Sequence, residues 1–156
     1  MKRLILVLAL VFVVLATVIA VRQSGVSAQN AVKVNPGLVS RVVLYRISPG
    51  QRPAFDQDMM SNLIPTYEEY KKAGIISEYE IFNNMTTDNA NDWGVGVRLT
   101  YPNFAALDGL ADRTDPITLK HYGSAAKRQA AADHRNQLRT VVSSRLLQSI
   151  RYSPGT

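Results

Sequence analysis

The 156-residue sequence contains no cysteine, which excludes disulfides, thiolate metal sites, a cysteine nucleophile and a lipidated N-terminal cysteine. Histidine is scarce: His121 and His134 are the only two, and no carboxylate stands near either at a spacing diagnostic of a metal site. No metal or cofactor is expected on these grounds. Charge of one sign is not in excess. The formal net charge is +6, but Lys2, Arg3 and Arg22 lie in an N-terminal leader and leave +3 for the rest. There Arg and Lys are interspersed with Asp and Glu, so the clustered basic face that phosphate binding needs is missing and no nucleic-acid partner is expected. No catalytic motif of defined spacing is present.

One long apolar run stands out. Leu4–Val21 is apolar except for Thr17, behind Met1-Lys2-Arg3 and ahead of Arg22-Gln23-Ser24-Gly25 and Val26-Ser27-Ala28. A positive start, an apolar centre and light residues at Val26 and Ala28 predict a secretory signal peptide over residues 1–28, cleaved before Gln29. A helix of that apolar length rises roughly 27 Å, nearly the thickness of a bilayer core, so an uncleaved membrane anchor is the alternative. In either case Lys2 and Arg3 hold the N-terminus inside, and the domain is expected outside the cytoplasm, periplasmic or extracellular. Residues 29–37 read as a polar linker ending in the turn signal Asn35-Pro36-Gly37, and 38–156 as one domain.

Within that domain the stretch Gly74–Tyr101 organises the rest. Ile75–Phe82 and Trp93–Tyr101 alternate apolar with polar or small residues and predict two half-buried strands, joined by the polar loop 83–92. Leu38–Ile47 is apolar on both of its alternating faces, which predicts a strand covered on both sides. After it, Ser48-Pro49-Gly50-Gln51 predicts a capped helix start, and Phe55, Met59, Leu63, Tyr67 and Tyr70 form one apolar stripe with Asp56, Asp58, Glu68 and Glu69 on the wet side. Pro65 is expected to kink this helix, and Gly74 to end it in the left-handed region. Asn103 predicts the cap of a helix Phe104–Arg113, interrupted at Asp115-Pro116. A further helix is expected over Ala125–Val142 and a last strand over Arg145–Tyr152.

Strand, helix, strand, strand, helices, strand is the order of a ferredoxin-like split βαβ arrangement: an α+β fold with a four-stranded antiparallel sheet and helices on one face. Helices on one side leave the other sheet face uncovered, although the first strand is apolar there too. A second copy packed face to face, closing a dimeric barrel, is the expected cover.

The element order, the Tyr70-Lys71-Lys72-Ala73-Gly74 turn, the Asp92-Trp93 entry to the third strand and Tyr101-Pro102-Asn103-Phe104-Ala105-Ala106-Leu107-Asp108 resemble the dimeric α+β barrel superfamily. That superfamily includes antibiotic-biosynthesis monooxygenases, EthD-like and NIPSNAP-like proteins, and haem-degrading monooxygenases. The resemblance covers about Leu38–Tyr152. It implies a homodimer with a ligand cavity between sheet and helices and, for some members, cofactor-free oxidation of a phenol or quinol. Trp93 opens a strand and no Asn falls in Leu38–Ile47, so the haem degraders' Asn, Trp and His set has no counterpart and haem chemistry is not implied.

Candidate site residues follow from chemistry and position. His121, next to Tyr122 in what reads as an irregular stretch, could serve as a base or an orienting donor near neutral pH, its plainer role being an ordinary loop histidine. Glu78, Glu80 and Arg98 project from neighbouring strands and predict a cross-strand ion pair, with a charged clamp for a ligand as the functional alternative. Tyr45, Tyr79 and Tyr101 could share a cavity or simply fill the core. Thus His121, Tyr45 and Arg98 are the catalytic candidates, and Tyr79, Tyr101 and Glu80 the ligand-binding ones. The loop 83–92 is dense in oxygen ligands, but Ala90 stands where a calcium ligand should be and no closing Glu follows, so it reads as a plain loop. The functional expectation is an exported dimer binding a small, largely apolar ligand. The alternatives are a cofactor-independent monooxygenase and a membrane-tethered interaction module.

Overall fold

The computed structural model describes residues 32–86 and 88–154. The expected signal peptide, and the choice between cleavage and anchor, lie outside them. The described elements are β1 (Val32–Ile47), α1 (Arg52–Asp58), a π turn (Met59–Leu63), α2 (Ile64–Lys72), β2 (Glu78–Asn83), β3 (Val95–Tyr101), a 3-10 turn (Phe104–Leu107), α3 (Leu110–Tyr122), α4 (Ala125–Leu138) and β4 (Arg139–Pro154). Among the described residues no helix is long and apolar enough to cross a membrane. The chain divides into two units. One holds the described residues up to Asn35 and from Tyr152 onward, where Asn35 Nδ2 donates to Ser153 Oγ at 3.2 Å; the other is Pro36–Arg151.

The strands form one sheet in the order β2-β3-β1-β4. β3 runs antiparallel to both β1 and β2, with Val43 opposite Val97 and Ile81 opposite Val97 on the far side. β4 lies antiparallel to β1: Ser48 N–H donates to Leu138 O at 2.9 Å, while ten residues back along β1 Leu38 O accepts from Ser149 Oγ. This is the ferredoxin-like α+β topology. Val39, Tyr45, Val95, Val97 and Tyr101 from one sheet face pack with Phe55, Met59, Tyr67 and Leu138 from the helices, so the helices cover that face.

Several sequence expectations need correction. β1 begins at Val32 and not Leu38, which takes up most of the supposed linker. The capping role assigned to Ser48 is absent: α1 starts at Arg52 behind Gln51 with Pro53 in its first turn, and Ser48 Oγ instead donates to Gln137 O at the end of α4. Asp58 is not on the wet side but 6% exposed. Just ahead of Pro65 the helix widens into the π turn Met59–Leu63. A strict four-residue stripe overshoots a turn of about 3.6 residues, and a wider turn absorbs the excess while accommodating the donor that Pro65 lacks. Asn103 caps as expected, accepting from Ala106 N–H at 3.0 Å, but only a 3-10 turn. The long helix is Leu110–Tyr122, with Pro116 inside it and His121 in its last turn. α4 stops at Leu138, because Thr140-Val141-Val142 are β-branched and join β4, which starts at Arg139 and not Arg145.

Gly74 does close α2 in the left-handed region, at φ 67°.

Candidate functional site

Register puts Tyr45 beside Val95, Tyr101 beside Val39 and Tyr79 beside Leu99, all on the helix-facing side of the sheet. They share that face without converging. Tyr45 and Val39 are six residues apart on β1, about 20 Å at strand rise, so Tyr45 and Tyr101 mark opposite ends of the interior. Tyr79 sits at the rim, where its hydroxyl donates to Glu68 at 2.6 Å. Helix aromatics fill the space between: Phe55 packs on Tyr45 with ring centroids 6.2 Å apart, and Tyr67 on Tyr79 at 5.5 Å. Burial raises the pKa of Tyr45 and Tyr101, and burial with Tyr45 alongside raises that of Tyr67 further. Burial pushes Tyr70 up to about 12. These phenols therefore stay protonated near neutral pH and act as donors rather than nucleophiles.

A buried polar network runs beside them. Arg135 of α4 holds Asp58 through Nε at 2.5 Å and Nη2 at 3.3 Å, and Nη2 also donates to the Tyr122 hydroxyl at 2.9 Å. Asp58 is 6% and Arg135 8% exposed. Asn62, in the π turn, donates to Asp58 Oδ1 at 2.8 Å, and its Oδ1 lies 3.3 Å from His121 Nε2. With the Asn62 amide nitrogen already committed to Asp58, the consistent assignment puts the proton on Nε2 and leaves Nδ1 as the acceptor. The His121 ring stands edge-on to Tyr122, centroids 4.8 Å apart. The guanidinium of Arg135 is desolvated, which alone would lower its pKa. Its hydrogen bonds to Asp58 and Tyr122 outweigh that and raise it.

One helical turn on, at the start of β4, the Arg139 guanidinium lies 3.7 Å over the Tyr45 ring. Its Nε and Nη1 are buried and meet no acceptor among the described residues.

The opposite sheet face carries the charged candidates. Arg98 pairs with Glu80 at 2.6 Å and lies 5.9 Å over the Phe82 ring, as the cross-strand reading expected. Glu78 departs from it and pairs with Lys71 at 3.0 Å. Phe82 lies across Gly96, where an added Cβ would overlap its ring. A groove of about 760 Å³ on this face is lined by Leu38, Ser40, Arg98, Thr100, Leu147 and Ser149. Two half-exposed apolar side chains stand in it: Leu38 is 48% and Leu147 49% exposed. A third region is the cleft between α2 and α3, about 620 Å³, lined by Pro65, Glu68, Lys72, Ile117, Lys120 and His121 among others.

The six candidates thus fall in three places: Tyr45, Tyr79 and Tyr101 on the helix-facing side, Arg98 and Glu80 on the open face, and His121 in the helix-layer cleft. Sequence reasoning missed Asp58, Asn62, Arg135 and Arg139. A signal existed for the arginines: Arg135, Leu138 and Arg139 stand at i, i+3 and i+4, on one helix face with a core leucine. In the loop 83–92, oxygens serve the loop itself, as when Asn84 Nδ2 donates to Asp92 Oδ2 at 3.1 Å. Among the described residues no group of three or more His, Asp or Glu is placed to hold a metal.

No protein-family model matches the sequence, and comparison with curated proteins finds no match. Solved structures do resemble it. An EthD family protein from Bacillus halodurans aligns with a TM-score of 0.50 at 15% identity, over 72% of this chain and 98% of that one. A dimeric protein of unknown function and ferredoxin-like fold from Bacteroides fragilis aligns with a TM-score of 0.41 at 16% identity, over 72% and 95%. A dimeric ferredoxin-like protein of unknown function from Jannaschia sp. gives 0.41 at 15%, over 74% and 98%. At such identities the likeness is one of fold, and that of the EthD family protein agrees with the strand order.

Proposed function

We propose that the protein is exported and works as a homodimer closed through its open sheet face, each copy binding a small, largely apolar ligand between sheet and helices. The observation that carries the dimer is the pair of half-exposed leucines on that face, Leu38 and Leu147. Apolar area removed from water is worth about 25 cal/mol per Å², and a twin surface removes it from both copies at once. The paired Arg98 and Glu80 beside these leucines need no counter-charge from a partner, which suits an isologous contact. Sedimentation of the mature protein tests this: twice the chain mass is expected, and L38E together with L147E should return it to single copies. A wild-type protein that stays a single copy at high concentration refutes the dimer.

Ligand binding draws on the aromatic interior built from Tyr45, Phe55, Tyr67, Tyr70 and Tyr101. Export rests on the leader, and mass spectrometry of the mature N-terminus decides it: a chain starting at Gln29 supports cleavage, whereas a retained leader supports the anchored form. A second reading, cofactor-independent oxidation of a phenol or quinol, draws on His121, whose ring is oriented by Asn62 with Nδ1 free to accept a proton. Oxygen uptake with a panel of quinols tests it, and no uptake counts against catalysis.

A further inference from the structure

We propose that Arg139, held over the Tyr45 ring, is the recognition residue of the interior ligand site and selects a small organic carboxylate. This rests on the ligand-binding reading above and adds to it the chemical class of the ligand.

Two features of the geometry support it. The first is local charge. Arg135 and Arg139 bring two guanidinium groups to this end of the interior, and one buried carboxylate, Asp58, faces them. Asp58 is committed: Arg135 Nε and Nη2 and Asn62 Nδ2 occupy it at 2.5, 3.3 and 2.8 Å. The interior thus holds one positive charge more than it neutralises, and a single carboxylate balances it.

The second is the state of Arg139's donors. Nε and Nη1 are out of contact with solvent and without an acceptor among the described residues, a rare condition that a bound group would relieve. The Tyr45 ring, 3.7 Å away, attracts the cation through its face but accepts no in-plane hydrogen bond. A planar guanidinium whose donors lack partners suits the two oxygens of a carboxylate. Phe55, packed on Tyr45 with ring centroids 6.2 Å apart, makes the surroundings of Arg139 aromatic, which suits an aromatic carboxylate. Burial also lowers the pKa of Arg139 from the usual guanidinium value, in keeping with a cation short of partners.

The test uses benzoate and its uncharged counterpart benzyl alcohol, titrated calorimetrically into the purified protein at fixed ionic strength. Benzoate is expected to bind roughly tenfold or more tightly than benzyl alcohol, as a charge-assisted hydrogen bond requires. R139M should abolish that preference while leaving benzyl alcohol binding in place, and R139K, which keeps the charge but loses the planar fork, should fall between. Equal binding of the two probes by the wild type, or an undiminished benzoate preference in R139M, overturns the inference while leaving the ligand site standing. If neither probe binds, the inference and the ligand reading fall together. Should R139M fail to fold, the wild-type comparison and R139K decide.

Discussion

Removing the Asp58 carboxylate should be among the most damaging single changes to this fold. In D58A the Arg135 guanidinium remains buried with the Tyr122 hydroxyl as its remaining partner, with Arg139 one turn away and of the same sign. Breaking a buried pair by deleting one partner costs about 3–5 kcal/mol, because the surviving charge is left desolvated. For a domain of this size about 4 °C of melting temperature is lost per kcal/mol, so a fall of about 12–20 °C is expected. The pair's own net worth is much smaller, since its Coulomb attraction mainly offsets the desolvation of both groups. D58L combined with R135M should therefore recover to within about 2 kcal/mol of wild type. Arg52 and Asp56, 2.8 Å apart but about half exposed, provide the control: R52A should cost at most about 0.5 kcal/mol. Urea unfolding of these proteins and of the D58L and R135M single variants, all at one protein concentration, gives the comparison, holding any effect of association fixed. If D58A loses less than about 1 kcal/mol, or if the double replacement costs the sum of its single changes, the account of Asp58 and Arg135 as a desolvated pair is wrong.

Tyr70 is pushed up to about 12 by burial, and Tyr79 to about 12 by its hydrogen bond to Glu68 and then by burial, both from an ordinary value of 10.0. The folded protein thus holds these protons more tightly than the unfolded chain. Their stabilisation is complete below pH 10.0 and is lost as pH rises toward about 12, so melting temperature should fall steeply in that window and tyrosinate absorbance should rise late. A tyrosinate titration centred at the ordinary value would contradict this. Gly96→Ala places a methyl against the Phe82 ring and should cost about 1–3 kcal/mol by denaturant unfolding, with relief when combined with F82L. Gly74→Ala, at φ 67°, should cost about 1 kcal/mol, and no loss would mean that the C-terminus of α2 relaxes.

Much of the fold was legible because it is encoded locally. Alternation in β2 and β3 and the Gly74 stop fix the central hairpin, since both signals lie within a few residues of the structure they produce. The join of α4 and β4 was less legible: no Gly or Pro separates Leu138 from Arg139, and only the β-branched Thr140-Val141-Val142 marks the change. Asp58 was misread because a charged residue beside an apolar stripe ordinarily faces water, and its partner lies 77 positions away in the sequence. The same distance hid the rest of the network. The Arg98 and Glu80 pair was readable, because antiparallel neighbours bring adjacent charges opposite each other.

The strand order also bears on biosynthesis. β1 is made first but occupies an inner place, with β3 and β4 as its neighbours. During synthesis one of its edges waits for β3 and the other until β4, at the far end of the described chain, is made, with apolar residues on both faces, a condition that invites wrong partners. Shelter of the growing polypeptide by chaperones is therefore expected to raise its yield.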